Sequence, residues 1–265
     1  PDSIAAAIRR LMDGNLFTAD ELTRYDDLYH SLLHHGSFSA PTAEECLERI
    51  NARLSAGAEF LAAVDRIIVT FGTSYVYRWK GTGAVVGNCH KMPDGYFHRE
   101  RLSVDKVVHR WNLLLDSMVR RRPEVKWIFT VSPVRHLRDG AHENNLSKSV
   151  LLLLIEKLIS TYPTIANYFP AYELMMDELR DYRFYAEDMC HPSSAAIHYI
   201  SDRFESTYMD AKTRAWLRRA EALHRDLQHR PIHPDSEAYR RFLVQTKLKL
   251  KQLRAELPTP PTFAR

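Results

Sequence analysis

The sequence is poor in the features that mark disulfide-stabilised and membrane proteins. Its 265 residues include only Cys46, Cys89 and Cys190, too few for a disulfide framework and without the spacing of a zinc site. The longest apolar run, VLLLLI at residues 150–155, is far shorter than the roughly 20 residues that cross a bilayer. We therefore predict a protein of a reducing compartment, the cytoplasm, with no membrane segment.

Several catalytic signatures are also missing. There is no H-E-x-x-H zinc motif and no G-x-S-x-G nucleophile elbow. Ser37, in the segment HHGSFS, lacks a preceding buried strand, so we do not interpret it as a nucleophile. A metal site would have to assemble from residues in distant loops: His34, His35, His90, Asp188 and His191. No spacing requires such a site, and we predict neither a metal nor another cofactor.

The overall composition is that of an ordinary globular protein. Hydrophobic residues make up 45% and charged residues 26% of the chain, within the usual range. The net charge of +4 is spread along the sequence, so we predict no nucleic-acid partner.

Strands alternate with helices along the first two hundred residues. The apolar, β-branched segments RIIVTFGT (66–73) and VKWIFTVSPV (125–134) read as buried strands, and NYFPAYEL (167–174) reads as a short third one. Helices are predicted at residues 3–12, 18–33, 42–61, 104–121, 148–160, 172–180 and 193–208. The segments 74–97 and 135–145 are predicted to be irregular, and Ser147 is predicted to cap the helix that follows it. This alternation indicates an α/β fold with a mostly parallel sheet.

A change of composition divides the chain. We predict one domain over residues 1–210 and a helical extension over residues 211–265, with two charged amphipathic helices around Pro231 and Pro234 and a proline-rich end. These helices would pack on the domain or on a second subunit, which would make the protein a homo-oligomer.

The segment YAEDMCHPSSAAIHYI contains the clearest candidate for chemistry. Asp188 and His191 are separated by two residues, so one loop can present both. A carboxylate that holds the imidazole in one tautomer makes the histidine a general base. The alternative is that both residues merely cap the helix after Pro192.

Two other segments carry polar residues next to predicted strands. TFGTS places Gly72, Thr73 and Ser74 at a strand end, where backbone N–H groups can form an oxyanion hole. GNCHK places Asn88 and His90 on either side of Cys89, as an amide donor and a base beside a thiol. Both segments can equally be ordinary loops. Because sites lie at the carboxyl ends of parallel strands, we expect Gly72, Asn88 and His191 to surround one cleft.

Long phrases, including HHGSFS, FGTSYVYR, VVGNCHKMP, FTVSPVRHLRDGAHENNLSK and HRPIHPDSEAYRRFL, resemble the GSCFA family over essentially the whole chain. That family is similar to the SGNH (GDSL-like) hydrolases. The resemblance implies a flavodoxin-like α/β/α fold without a cofactor, a serine nucleophile after the first strand, and a glycine and an asparagine in the oxyanion hole. It implies that Asp188 and His191 are the late acid–base pair and that Gly72 is an oxyanion donor. Ser74 stands where the asparagine is expected, and Asn88 is the candidate replacement.

The resemblance also implies that the nucleophile, a serine or cysteine of a Gly-Ser-Cys phrase, precedes Pro1. We therefore expect the first two strands to be absent and an open sheet edge beside the strand that ends near Thr73. The expected function is hydrolysis of an ester or acyl bond of a small molecule or carbohydrate. The alternatives are a non-catalytic α/β binding or interaction scaffold and a metallohydrolase.

Overall fold

The computed structural model of the protein describes residues 1–256. The chain forms two compact units, Pro1–Ala196 and a second unit that begins at Ile197. The sequence-based division at residue 210 lies further along the chain, because most of the helix Ser194–Tyr208 belongs to the second unit.

Helices and strands alternate, which confirms the predicted α/β class. The helices are α1 Asp2–Asp13, α2 Ala43–Ala63, α3 Val104–Arg121, α4 Gly140–Thr161, α5 Ala171–Glu173, α6 Ser194–Tyr208, α7 Ala211–Gln228 and α8 Glu237–Ala255. The strands are β1 Leu22–Tyr25, β2 Leu28–Ser31, β3 Arg66–Phe71, β4 Tyr75–Trp79, β5 Val85–Val86, β6 Phe97–Arg101, β7 Lys126–Val131 and β8 Ala166–Tyr168. A π-helical turn, Leu174–Glu178, continues α5.

The parallel sheet has the order β3-β7-β8 within the described chain. The central strand β7 is buried from Trp127 to Val131, as its continuous apolar sequence predicts. The edge strand β3 is only half buried: Val69 and Phe71 face the core, whereas Ile68 is 55% exposed. The prediction of a buried strand at 66–73 therefore holds for one face only, and within residues 1–256 no strand pairs with the outer edge of β3.

The core lies between this sheet and helices α1, α3 and α4. Trp111 of α3 packs edge-on against Phe71 and Phe129, with ring centroids 5.1 and 5.5 Å apart. The apolar stripe of α3 makes this packing possible, because Val107, Trp111 and Leu114 recur at helical spacing and are all buried. Edge-to-face contacts of this kind add to the stability that burial of the large rings supplies.

The segment 18–33 is not the predicted helix. It forms a 3₁₀ turn followed by the antiparallel hairpin β1–β2, with Tyr25 paired to Leu28. Asp26 and Asp27 form the two-residue turn, and both have positive φ, 49° and 60°. Aspartate tolerates that conformation, and such turns match the twist of a two-stranded ribbon.

Two further local predictions were wrong. The segment after β3 is not irregular, because β4 pairs with both β5 and β6 in an antiparallel sheet. The segment 135–145 is not a loop throughout, because α4 begins at Gly140. Ser147 therefore lies inside α4 and is not its N-cap.

The second unit contains the antiparallel helices α7 and α8. Lys249 pairs with Asp226, at 2.8 Å, and Arg219 pairs with Glu256. Between these ion pairs, Ala220, Leu223 and Leu253 form a small core. Within residues 1–256, no helix combines the length and apolar character that crossing a bilayer would require.

Candidate active site

A short loop between two backbone contacts carries the D-x-x-H motif. Tyr185 and Pro192 form an antiparallel bridge at its base, and the N–H of Ala186 donates to the carbonyl oxygen of His191 at 2.8 Å. Met189, at the tip, has a φ of 58°. The bridge brings the two ends of the loop together, so Asp188 and His191 project from a closed turn.

Asp188 is held as a carboxylate by its own loop. One oxygen, Oδ1, accepts hydrogen bonds from the backbone N–H groups of His191 and Cys190, each at 2.9 Å. The other oxygen, Oδ2, lies 2.5 Å from Nδ1 of His191. The two backbone donors, followed by the imidazole, lower the pKa of Asp188 to about 2. The carboxylate is therefore charged throughout the neutral range and keeps Nδ1 of His191 as the donor nitrogen.

The imidazole of His191 reaches the solvent. Its side chain is 63% exposed, and Nε2 contacts no polar group within residues 1–256. The hydrogen bond that the D-x-x-H spacing predicts is thus present, and the second nitrogen is accessible to a nucleophile or a substrate. The catalytic role of the pair stays a prediction.

The three residues after β3 have different surroundings. Ser74 is fully buried, its N–H donates to Oγ of Ser147 at 2.8 Å, and its hydroxyl lies 3.1 Å from the same oxygen. The hydroxyl of Thr73 also contacts Ser147, at 3.0 Å. The Thr73 and Ser74 side chains therefore anchor the end of β3 to α4, and Ser74 has no access to a substrate.

Gly72 differs, because it contacts α4 through its carbonyl oxygen, which lies 2.7 Å from Nζ of Lys148. A Cβ built on Gly72 would lie 3.6 Å from Nε2 of His136. The role of Gly72 as an oxyanion donor stays a prediction.

The sequence analysis missed Lys148, which lies beneath this strand end. Its side chain is 2% exposed, and Nζ donates to the carbonyl oxygens of Gly72 at 2.7 Å and Ser132 at 2.6 Å. Those residues follow β3 and β7 directly, so one ammonium group joins the carboxyl ends of two parallel strands. A signal was available, since Lys148 falls in register with the buried Leu151 and Ile155 of α4.

Burial lowers the pKa of Lys148 to about 8, from an ordinary value of 10.5. The folded protein therefore releases this proton at lower pH than the unfolded chain does, and folding becomes more favourable as pH rises through this window. The neutral amine keeps two donors for the two carbonyls. We expect the destabilisation caused by Lys148→Met to grow by about 2–3 kcal/mol between about pH 7 and pH 10.

Urea denaturation of the unaltered and the Lys148→Met protein across that pH range measures the difference in their free energies of unfolding. The titrations of all other groups cancel in this difference. Lys157→Met is the matched control, because Lys157 is exposed on the same helix and its charge is already solvated. A difference between unaltered and Lys148→Met protein that stays constant with pH would show that Lys148 is not a buried ammonium.

Asn88 and His90 belong to another cluster. Oδ1 of Asn88 accepts the N–H of His90 at 2.8 Å, and Nε2 of His90 lies 2.9 Å from the carbonyl oxygen of Ser31. The His90 ring packs against His30, with centroids 4.5 Å apart. Among the contacts of residues 1–256, none joins Asn88 or His90 to Gly72 or His191, so the structure supplies no geometry for Asn88 as an oxyanion donor.

The thiol between them is also poorly suited to attack. Burial, and to a smaller extent Asp94, raises the pKa of Cys89. A raised pKa leaves less thiolate at neutral pH, and the thiolate is the reactive form.

The D-x-x-H loop lies at the same end of the parallel sheet as Gly72. The guanidinium of Arg135, shortly after β7, lies 5.6 Å from the ring centroid of Tyr185 at the base of the loop. Tyr172 lies 5.9 Å from Nζ of Lys148, which binds the Gly72 carbonyl. The first contact connects the carboxyl end of β7 with the loop, and the second packs α5 against the ammonium at the ends of β3 and β7.

A cavity of about 1390 Å³ lies elsewhere. Helices α1, α2 and α3 and the free side of β3 line it, with Phe60, Leu61, Ile67 and Ile68 among its apolar residues. Gly72, Asn88 and His191 are not part of its lining. The expectation of one cleft around these three residues stays a prediction.

No metal centre is evident among the described residues. Across residues 1–256, no three histidine, cysteine, aspartate or glutamate side chains converge in an arrangement that could hold a metal ion. The residues that a metal site would have required, His34, His35, His90, Asp188 and His191, are not assembled into such a group in this part of the chain.

The fold and the loop define an α/β protein with a carboxylate–histidine pair at the carboxyl end of its parallel strands. The model of the GSCFA family matches residues 1–204, and the model described as GSCFA domain protein, C-terminal domain, matches residues 220–260. The chain belongs to the GSCFA family. No curated protein and no solved structure matches it.

Proposed function

We propose that this protein is a hydrolase of the SGNH type that cleaves an ester or acyl bond. The observation that carries the proposal is the contact of 2.5 Å between Asp188 Oδ2 and His191 Nδ1, on a loop that leaves the other imidazole nitrogen accessible. A carboxylate, an imidazole and an open Nε2 are the acid–base half of a serine- or cysteine-dependent acyl transfer.

In this mechanism each residue has one role. Nε2 of His191 takes the proton of the nucleophile and later gives it to the leaving group. Asp188 keeps the imidazole in the correct tautomer and stabilises the imidazolium. The N–H of Gly72 donates to the oxyanion of the tetrahedral intermediate, and Lys148 fixes the strand ends that carry this donor.

The nucleophile belongs, in this proposal, to a strand outside these 265 residues that pairs with β3. Two features support it: within residues 1–256 β3 has a neighbouring strand on one side only, and its apolar Ile68 is 55% exposed beside a large apolar cavity. An exposed apolar edge strand is unfavourable unless another strand covers it. The substrate is a small-molecule or carbohydrate ester, and we place the reaction in the cytoplasm, where the three free cysteines stay reduced.

One observation favours a second candidate, a non-catalytic α/β binding scaffold. Ser74 is buried against α4, and Asn88 is engaged with His90. The oxyanion hole of the hydrolase proposal therefore rests on backbone donors alone.

Assay of the full-length protein with para-nitrophenyl esters of increasing acyl length distinguishes the hydrolase from the non-catalytic scaffold. The hydrolase proposal expects turnover that a chelator does not diminish and that modification of the nucleophile stops, with an organophosphonate ester if it is a serine or with iodoacetamide if it is a cysteine. A folded full-length protein that turns over no ester and takes no organophosphonate label would be a scaffold, and activity lost with chelator would indicate a metallohydrolase.

A further inference from the structure

Arg135 occupies an unusual position beside the D-x-x-H loop. It follows β7, is exposed, and its Nη2 lies 3.5 Å from the sulfur of Met176. Its guanidinium also lies 5.6 Å from the ring centroid of Tyr185, and the hydroxyl of Tyr185 contacts the same sulfur at 3.9 Å. A thioether and an aromatic ring position the guanidinium, but neither neutralises its charge.

Several other arginines of the first unit pair with carboxylates. The pairs are Arg78 with Glu100, Arg99 with Asp139, Arg101 with Glu143, and Arg138 with Asp94. Within residues 1–256, Arg135 makes no such ion pair, although Asp177 follows its neighbour Met176 in the sequence. An arginine held in place without a carboxylate partner, beside paired ones, is a ready binding group for an anion.

Two nearby carboxylates are already engaged. Asp188 binds His191 and two backbone N–H groups, and Glu173 accepts the hydroxyl hydrogen bond of Tyr168 at 2.6 Å. The buried ammonium of Lys148 has only carbonyl partners. Asp188 and Glu173 are therefore not free to balance the charge of Arg135.

We propose that Arg135 binds an anionic group of the substrate, a carboxylate or a phosphate, next to the bond that His191 helps to cleave. This inference rests on the proposed function and narrows its substrate class from acyl esters in general to esters that carry a negative charge. Tyr185 links the two groups, because its ring contacts Arg135 and its backbone forms the base of the loop that presents His191.

Two matched pairs of test substrates examine this with the full-length protein. Para-acetoxybenzoate and para-acetoxybenzamide differ in a charge on the alcohol side, and the para-nitrophenyl esters of adipate and hexanoate differ in a charge on the acyl side. We expect the anionic member of at least one pair to have a kcat/KM roughly tenfold to hundredfold higher, and Arg135→Gln to abolish that preference. Arg138→Gln is the control, because Arg138 is already paired with Asp94.

Binding measured without turnover keeps this test separate from that of the hydrolase proposal. Ligand-observed NMR follows para-hydroxybenzoate, adipate and their uncharged counterparts. Anion binding that Arg135→Gln abolishes and Arg138→Gln preserves supports the site even if no ester is cleaved. Equal binding and equal kcat/KM for charged and neutral members, or a preference that survives Arg135→Gln, would overturn it. Unchanged thermal unfolding of the variants shows that any loss is local.

Discussion

His191→Ala is expected to abolish ester turnover by the full-length protein. His191 carries the proton in both halves of the proposed reaction, and the methyl group of alanine can neither accept nor donate one. Stability should change little, because the imidazole is exposed and contacts only its own loop. Steady-state kinetics with a para-nitrophenyl ester measures the loss, and circular dichroism checks the fold.

His224→Ala is the matched control for this experiment. His224 is exposed on α7, in the second unit, and its ring contacts Gln228 of the same helix. Its removal should leave turnover unchanged. Full activity of the His191→Ala protein would contradict the acid–base assignment, and the D-x-x-H motif would then be a structural turn.

Asp188→Asn is expected to lower kcat by about 10²–10⁴-fold, less than the loss of the histidine. The asparagine oxygen can still accept the N–H groups of Cys190 and His191, which keeps the loop closed. Its amide, however, donates towards Nδ1 and favours the tautomer with the proton on Nε2, where the general base must accept.

We expect Asp188→Asn to lower kcat and to leave KM unchanged. Steady-state kinetics of this variant and of Asp188→Glu, which keeps the charge, measures both constants. Partial activity of the glutamate variant together with a large loss in the asparagine variant supports a role through the tautomer and charge. Equal, small effects of both substitutions would show that Asp188 only shapes the loop.

The parts of the fold that the sequence predicts are those with one strong local pattern. The continuous apolar run of β7 and the buried stripe of α3 each admit one interpretation. The hairpin β1–β2 does not, because Leu22, Tyr25 and Tyr29 also fit helical spacing, and the turn at Asp26 and Asp27 decides in favour of strands. Turn chemistry therefore overrides periodicity in that segment.

The same distinction applies to the candidate site: its local contacts can be predicted from the sequence, whereas its contacts between distant segments cannot. The contact of Asp188 with His191 is local in sequence, so their spacing alone predicts it. The surroundings of Asn88 depend on the hairpin segment, because the N–H of Asn88 donates to the carbonyl oxygen of Leu32. Since the sequence predicts a helix at 18–33, the position of Asn88 could not be predicted correctly. The contacts of Lys148 were not predicted, because its carbonyl partners, Gly72 and Ser132, follow two strands that are distant in the sequence.

The pairing of β3 with β7 has a consequence for how the chain folds. The antiparallel sheet β4–β6 and the whole of α3 lie between these strands in the sequence, whereas β4 and β6 are close neighbours. Closing a long loop costs more entropy than closing a short one, and sheets with distant partners form slowly. We therefore expect the local antiparallel strands to form early and the parallel pair late. The ammonium of Lys148 can bridge Gly72 and Ser132 only once both strand ends are in place, so we expect this bridge to form late in folding.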